Sequence, residues 1–205
     1  VCEVALGAEK TTQHEAHEFQ EKMSLNQAFM TTSCCPAYVE LVKKHLPAFL
    51  PYVSTTPSPM IYAAEIAREK YPEARVVFIG PCIAKRVEAM RKGVDFVLSF
   101  EELGAILAGR RIDVIACQPW PLPRPASVNA RNFSKSCGVT KAVLDETEGF
   151  DASFQLEAKF INGIDKKTIP LLKIYAAGKI PLNFLEVMSC EGGCVNGPTS
   201  LVKEN

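Results

Sequence analysis

Short apolar runs separated by stretches of helical spacing dominate this chain, and together they predict an alternating α/β fold. Residues 1–6 read as a strand, and Gly7 and Ala8 turn the chain into a polar helix over about 9–23. A strand-like run over 28–33 ends on Cys34, Cys35 and Pro36. Pro36 suits the first turn of a helix, where its missing N–H would have no partner, and Val39, Leu41, Val42 and Leu46 follow at helical spacing. A second helix fits 59–70, and 75–79 is a buried-type strand that runs into Gly80, Pro81 and Cys82. Another strand covers 95–98; Ser99 and Glu102 then make a capping box for a helix to about Ala108. Over 117–132 the period is lost among four prolines and the only tryptophan, Trp120, so a loop is expected there. A strand over 158–161, a turn at Asn162 and Gly163, a helix over 168–177 closed by Gly178, and a last strand over 184–188 complete the pattern.

Three of these strands end on cysteine: at Cys34 and Cys35, at Cys82, and at Cys190. Ligands of open α/β sheets collect outside the carboxyl ends of the strands, so thiols placed there can converge from distant parts of the chain. Cysteines that merely fill the core are the plainer alternative.

The 205 residues suffice for one large domain or two small ones, with 47% hydrophobic and 22% charged positions. Basic and acidic residues balance at 23 each, so no long-range field favours nucleic acid or an anionic membrane. No apolar run approaches the roughly 20 residues that span a bilayer. The chain opens on Val1 with neither an initiator Met nor a signal peptide, which suggests a fragment of a cytoplasmic protein. In that reducing compartment eight cysteines point to metal ligands or redox groups before disulfides.

Cys190-Glu191-Gly192-Gly193-Cys194 is the sharpest local feature. Its glycines favour a loop, whose backbone N–H groups can approach the sulfides of a cluster. Zinc is the competing metal, but structural zinc is usually held by two close-spaced ligand pairs. Here one pair is joined by Cys82 and Cys35 from far upstream, which suits a [4Fe–4S] cluster better. Cys34 and Cys35 are adjacent, so in extended backbone they point to opposite faces and one is left free. That free thiol would carry protons or simply fill space, and the pattern does not separate the two. Lys85 follows Cys82 closely enough to reach an anionic ligand, though a solvated lysine is the default. Glu15, Glu18 and Lys22 share a helix face that reads as a surface ion-pair stripe. His14, His17 and His45 read as surface groups, Cys2 as core, and Cys117 and Cys137 take no role.

Three segments together resemble the signature loops of iron-only ([FeFe]) hydrogenases. They are Thr32-Ser33-Cys34-Cys35-Pro36, Pro81-Cys82-Ile83-Ala84-Lys85, and Glu186-Val187-Met188-Ser189-Cys190 with Cys194-Val195-Asn196-Gly197. Their order and spacing agree, the Ser58-Pro59 pair also matches, and the resemblance covers essentially the whole chain. It implies two α/β lobes with mostly parallel sheets flanked by helices, roughly 1–60 with 165–205 and 61–164, and a metal cluster at strand ends between them. It also implies an H-cluster, a [4Fe–4S] cube bridged to a diiron unit that carries CO, cyanide and an azadithiolate. By the same resemblance Cys35, Cys82, Cys190 and Cys194 hold the cube, with Cys194 as the bridge. Lys85, Met188, Pro81 and Ser58 lie against the cofactor, and Cys34 passes protons to an outward relay of Glu15, Ser54 and Glu18. The partners would be H2, protons, and an electron carrier such as ferredoxin or an accessory iron–sulfur domain, because the chain has no ferredoxin-like cysteine runs.

The sequence departs from the prolific hydrogenases around this site. Gly197-Pro198-Thr199-Ser200 replaces a glycine run, Gly80 a methionine, Met60 a glutamine and Tyr38 a tryptophan. Outer partners tune metal sites. An H2-sensing or redox-sensing module with slow turnover is therefore the second expectation, and a non-catalytic iron–sulfur protein the third.

Overall fold

The computed structural model describes residues 1–122, 124–148 and 155–202. Pro123, inside the stretch expected to be a loop, lies outside the described residues.

The described strands form two separate parallel sheets. In the first, β5 (Phe184–Met188) lies between β1 (Met30–Thr31) and β4 (Ala158–Asn162), with Met30 opposite Phe184 and Asn162 opposite Met188. β5 is buried at every position, as a parallel strand covered on both faces must be. Its apolar residues Phe184, Leu185, Val187 and Met188 satisfy that demand, and Glu186 interrupts them. The second sheet pairs β2 (Val77–Ile79) with β3 (Phe96–Leu98). The strand at 158–162 falls within the 61–164 span of the second expected lobe, yet it pairs with β5.

Helices flank both sheets. α1 (Ala5–Ser24) packs on α3 (Pro59–Lys70) and on α7 (Gly138–Thr147). Its contact with α3 is unusually close. A Cβ at Gly7 would lie 2.0 Å from the Pro59 carbonyl oxygen and 2.6 Å from the Ala63 nitrogen, so only glycine fits. α2 (Pro36–His45) starts at Pro36 as expected, and α4 (Lys85–Lys92) follows the Cys82 loop. α5 (Phe100–Gly109) carries the expected capping box of Ser99 and Glu102, and α8 (Thr168–Ala176) ends just before Gly178 at φ +65°.

Two core clusters meet at the cysteine pair. Cys34 packs in one with Phe19, Met30, Phe184 and Met188; Cys35 packs in the other with Tyr38, Val42, Leu185 and Val187. The two thiols thus face opposite sides, as extended backbone requires.

Three expectations need correction. Residues 1–6 are not a strand. Val4 already has helical angles (φ −63°, ψ −22°) and Ala5 opens α1, because Leu6, Ala8, Ala16 and Phe19 bury one helical face. Gly7 is therefore a point of helix contact inside α1 and does not break it. Cys2 precedes this helix and is exposed rather than core. The aperiodic stretch also contains a short helix, α6 (Val128–Asn132), whose first turn is capped by Ser127 accepting from the Ala130 amide.

Replacing Gly7 by alanine should separate α1 from α3 and lower stability by about 1–3 kcal/mol, the range for overpacked contacts. Urea unfolding of Gly7→Ala checks this, and an unchanged midpoint would show that the helices can part without cost.

Candidate metal centre

Each of the four expected ligands sits in a short loop just past a strand. Cys35 is the N-cap of α2, in extended backbone (φ −94°, ψ 102°). The Tyr38 and Ser189 N–H groups hydrogen-bond its sulfur, so the β1 and β5 ends meet there. Cys82 lies between β2 and α4. The loop after β5 carries Cys190 and Cys194, and its shape depends on Gly192 (φ +81°) and Gly193 (φ +96°). A Cβ on Gly193 would come within 2.5 Å of the Ser134 carbonyl oxygen. That close approach lets the Ser136 N–H donate to Gly192 O at 3.1 Å and lets Lys135 bridge to Gly193. Gly197 presses against Pro81 in the same way, and the Thr199 N–H donates to Pro81 O at 3.2 Å, so the Cys194 and Cys82 loops are in contact.

The thiols consequently share one electrostatic environment. Burial pushes Cys194 up to about 12, and Cys35, Cys82 and Cys190 each add to that rise. Burial also raises Cys35, with a further contribution from Cys82. Among the described residues no three His, Cys, Asp or Glu side chains are grouped to hold a single metal ion. Four thiols that interact without closing on one point suit a cluster of several metals better than one zinc.

A cavity of about 530 Å³ opens beside this group. Cys34, Pro81, Cys82, Lys85, Met188 and Cys194 line it, whereas Cys35 and Cys190 lie outside it. Ser58 does not reach it. The Ser58 hydroxyl is buried without a hydrogen-bond partner and lines a second cavity, while the neighbouring Pro59 lines the first. Gly80 also lines the first cavity, and a Cβ there would sit 2.7 Å from the Phe78 ring. Phe78 thus fills the space that a side chain at 80 would take.

Lys85 is buried at the cavity wall. Its ammonium donates to Glu88 at 2.7 Å and to the Cys34 carbonyl oxygen at 3.2 Å. Burial is the largest influence and would lower its pKa, but the Glu88 charge and hydrogen bond, with Cys194 and Cys34, together outweigh it, so the net shift is upward and Lys85 stays cationic. Glu88 carried no signal in the sequence beyond its place three residues after Lys85, which a helix turns into a pair.

The acidic face of α1 is not the surface stripe that its pattern suggests. Glu15 is 0% exposed, because α1 packs on α3 and α7 along this side. Neither of its carboxylate oxygens has a hydrogen-bond partner. Burial, aided by the Glu18 charge, lifts its pKa to about 8; the Ser33 amide and the Ser54 hydroxyl lie near and oppose the rise. Glu18 is the opposite case. Burial would raise it, but Ser54 Oγ at 2.6 Å, the Thr55 amide at 2.8 Å, Thr56 Oγ1 at 2.8 Å and Lys22 at 3.1 Å hold it at about 2. Ser54 is placed by its N–H bond to Thr31 O (2.7 Å), which ties it to β1. Cys34 is pushed well above the ordinary thiol range, first by burial and then by Glu15. His14, His17 and His45 are exposed.

Glu186, named above only as part of a signature segment, is a buried carboxylate whose structural role the sequence did not reveal. It accepts from the Cys137 amide at 2.8 Å and from the Thr140 amide and hydroxyl at 2.7 Å each, capping the start of α7. Burial still leaves its pKa raised. An acid inside an otherwise apolar five-residue strand was the signal available. Through Cys137 it also fixes the 134–136 segment that braces Gly192 and Gly193.

The donor set fits the cluster that the resemblance implies. Soft thiolates suit iron–sulfur clusters. The glycine loop packs its backbone on the 134–136 segment, and the adjoining cavity is lined by a buried cation, a thiol and a thioether among other groups.

Residues 1–198 match the family described as iron only hydrogenase large subunit, C-terminal domain. The chain is 26% identical to Iron hydrogenase 1 of Clostridium pasteurianum, over 96% of this chain and 42% of that protein. It is 28% identical to the periplasmic [Fe] hydrogenase large subunit of Nitratidesulfovibrio vulgaris, over 93% and 56%. A probable cytosolic Fe-S cluster assembly factor of Aedes aegypti is 26% identical, over 88% and 49%. The chain thus spans about half the length of the curated relatives it matches. Its fold is that of solved [FeFe]-hydrogenases. A structure described in terms of the H cluster 2Fe subcluster superposes with a TM-score of 0.77 at 21% identity, over 98% of this chain and 70% of that one. A variant of HydA1 from Chlamydomonas reinhardtii gives 0.72 at 20%, with the same coverage. Among the described residues no helix is long and apolar enough to cross a membrane.

The raised Glu15 pKa has a definite consequence for stability. Between about 4.5, its ordinary value, and about 8 the folded state binds a proton that the unfolded state has lost. Stability from this group is therefore complete below about pH 4.5 and lost as pH rises toward 8, at up to about 1.4 kcal/mol per pH unit. Urea midpoints measured across this window should fall less steeply in Glu15→Gln. An identical slope would place the titration elsewhere.

Proposed function

From the premise that the chain belongs to the iron only hydrogenase large subunit, C-terminal domain family, we propose that it is a hydrogenase-type redox domain built around an H-cluster. Cys35, Cys82, Cys190 and Cys194 would hold its [4Fe–4S] cube, and the cavity beside Cys194 would take the diiron unit with its CO, cyanide and azadithiolate. That cofactor supplies the chemistry that interconverts H2 with protons and electrons. The observation that carries the reading is the division of the thiols. Cys194 and Cys82 line the cavity with Cys34, Lys85 and Met188, while Cys35 and Cys190 do not.

The chain's own residues then have separate tasks. Lys85 Nζ, kept cationic by Glu88, donates to an anionic ligand in the cavity. Met188 and Phe78 supply apolar wall that excludes water. Cys34 Sγ holds a proton at neutral pH, because burial keeps the thiol from ionising. Glu15 is the nearest buried acid that can exchange that proton, and its pKa near neutrality suits transfer in either direction. Ser54 carries it onward. Electrons would come from a ferredoxin-like carrier or an accessory iron–sulfur domain.

A second reading keeps the same cluster but makes the domain a slow H2 or redox sensor, and the Phe78 ring over Gly80 favours it by reshaping the cavity wall. A non-catalytic iron–sulfur role finds support in the assembly-factor relatives.

Cys34→Ala and Cys82→Ala separate these possibilities when H2 evolution and iron–sulfur absorbance are measured together. Cys34→Ala should keep its absorbance and lose turnover by orders of magnitude; unchanged H2 evolution would make Cys34 mere packing. Cys82→Ala should lose the cube, and persistent absorbance there would refute the ligand set.

A further inference from the structure

Among the described residues, four buried side-chain oxygens have no hydrogen-bond partner: both Glu15 oxygens, the Ser58 hydroxyl and the Thr199 hydroxyl. Buried polar groups in native proteins are almost always satisfied, so each calls for a reason. Glu15 has one, because burial keeps it a neutral acid up to about pH 8. Ser58 has another, since it lines the second cavity, of about 160 Å³, where water has room. Thr199 has neither. It is 9% exposed and lines neither that cavity nor the one beside Cys194.

Thr199 sits where two ligand loops meet. Its amide donates to Pro81 O at 3.2 Å, directly before Cys82. Two residues earlier, a Cβ on Gly197 would lie 2.5 Å from Pro81 O and 3.1 Å from Cys194 O. The carbonyls of these loops are engaged by other donors. Pro81 O accepts from the Thr199 amide, Cys194 O from the Gly197 amide at 3.0 Å, Val195 O from the Ser200 hydroxyl at 2.6 Å, and Gly197 O from the Ser200 amide at 3.1 Å. Pro198 has a fixed φ and threonine a stiff χ1, so the hydroxyl has few other directions to take. The acceptor that these loops can still offer is the group their cysteines hold. Thr199 also stands where the resemblance leads one to expect glycine, which has no hydroxyl to give.

We propose that the Thr199 hydroxyl donates a hydrogen bond to a sulfur of the iron–sulfur cluster at the Cys82 and Cys194 loops, and that this bond raises the reduction potential of the cluster. Hydrogen bonds to cluster sulfurs are among the determinants of potential. Reduction adds one negative charge to the cluster, and a donor in a buried, low-dielectric site stabilises that charge more than it stabilises the oxidised form. The cube thereby becomes a better electron acceptor and a weaker donor. The proposal rests on the cluster part of the hydrogenase reading and is independent of the diiron unit.

The test is a redox titration of the full chain reconstituted with iron and sulfide, followed by the electron paramagnetic resonance signal of the reduced cluster. Thr199→Val removes the hydroxyl at nearly constant shape, and Thr199→Ser keeps it. Thr199→Val should hold the same cluster and titrate at a lower potential, while Thr199→Ser should titrate like the parent. Should valine hinder loading, the smaller Thr199→Ala must show the same fall. A parent-like potential without the hydroxyl would overturn the proposal. So would an equal shift in Thr199→Ser, because packing would then be the cause. Failure of both the valine and alanine variants to load would overturn it too, since the hydroxyl would serve assembly and not potential. A parent chain that assembles no cluster would overturn the hydrogenase reading and this proposal together. A cluster indifferent to Thr199 leaves the hydrogenase reading standing.

Discussion

The whole site depends on one constraint, the insertion of β5 as a fully buried parallel strand between β1 and β4. Thr32 bonds both ways across that pairing. Its amide donates to Leu185 O at 3.1 Å, and its hydroxyl accepts from the Val187 amide at 3.2 Å. The register so fixed sets the Cys34–Cys35 turn beside the Cys190 loop, although the two are far apart in sequence. A shift of one residue would turn Met188 and Glu186 together to the other face of the sheet and displace the Cys190 loop from the Cys34–Cys35 turn. The remaining ligand, Cys82, comes from the other sheet and is held by a different device. Gly197 packs on Pro81 so closely that no side chain could be accommodated.

Burial then sets the chemistry. Inside the fold three acidic groups, Cys34, Glu15 and Glu186, are all pushed toward their neutral forms. Glu18, only a helical turn from Glu15, is pinned as an anion because α1 lays it against the 54–56 segment. The resulting order places proton carriers with high affinity inside and one fixed negative charge beside them. Lys85, paired with Glu88, places a buried ammonium group at the cavity wall. Such paired environments, which drive neighbouring groups apart in pKa, are a mark of sites that handle protons.

Much of this was legible in the residues. The strand over 184–188, the helix over 59–70 and the capping box at Ser99 followed directly from period and capping chemistry. The convergence of three strand ends on cysteine was visible as well. What failed did so for identifiable reasons. Residues 1–6 are a short, largely apolar run that reads as a strand, but packing on α3 and α7 starts a helix at Ala5. Glu15 and Glu18 look like a solvated stripe in isolation, because nothing local reveals that α1 is covered on that side. Glu186 was overlooked, since its three donors come from an α7 turn about 50 residues earlier, which no spacing rule connects. Ser58 was expected at the cofactor from a motif alone; it lines the second cavity and not the first.

Membership of the iron-only hydrogenase family settles what kind of domain this is, and the cavity beside Cys194 raises the question of what it holds. Gly80, Met60 and Phe78 wall that cavity, and Lys85, Arg131, Cys34, Cys82 and Cys194 also line it. The most direct measurement is infrared spectroscopy of the chain after maturation with the diiron cofactor. Stretching bands of CO and cyanide that are lost or shifted in Lys85→Ala are the predicted result. No such bands in the matured chain would contradict the account and leave an iron–sulfur protein without hydrogen chemistry.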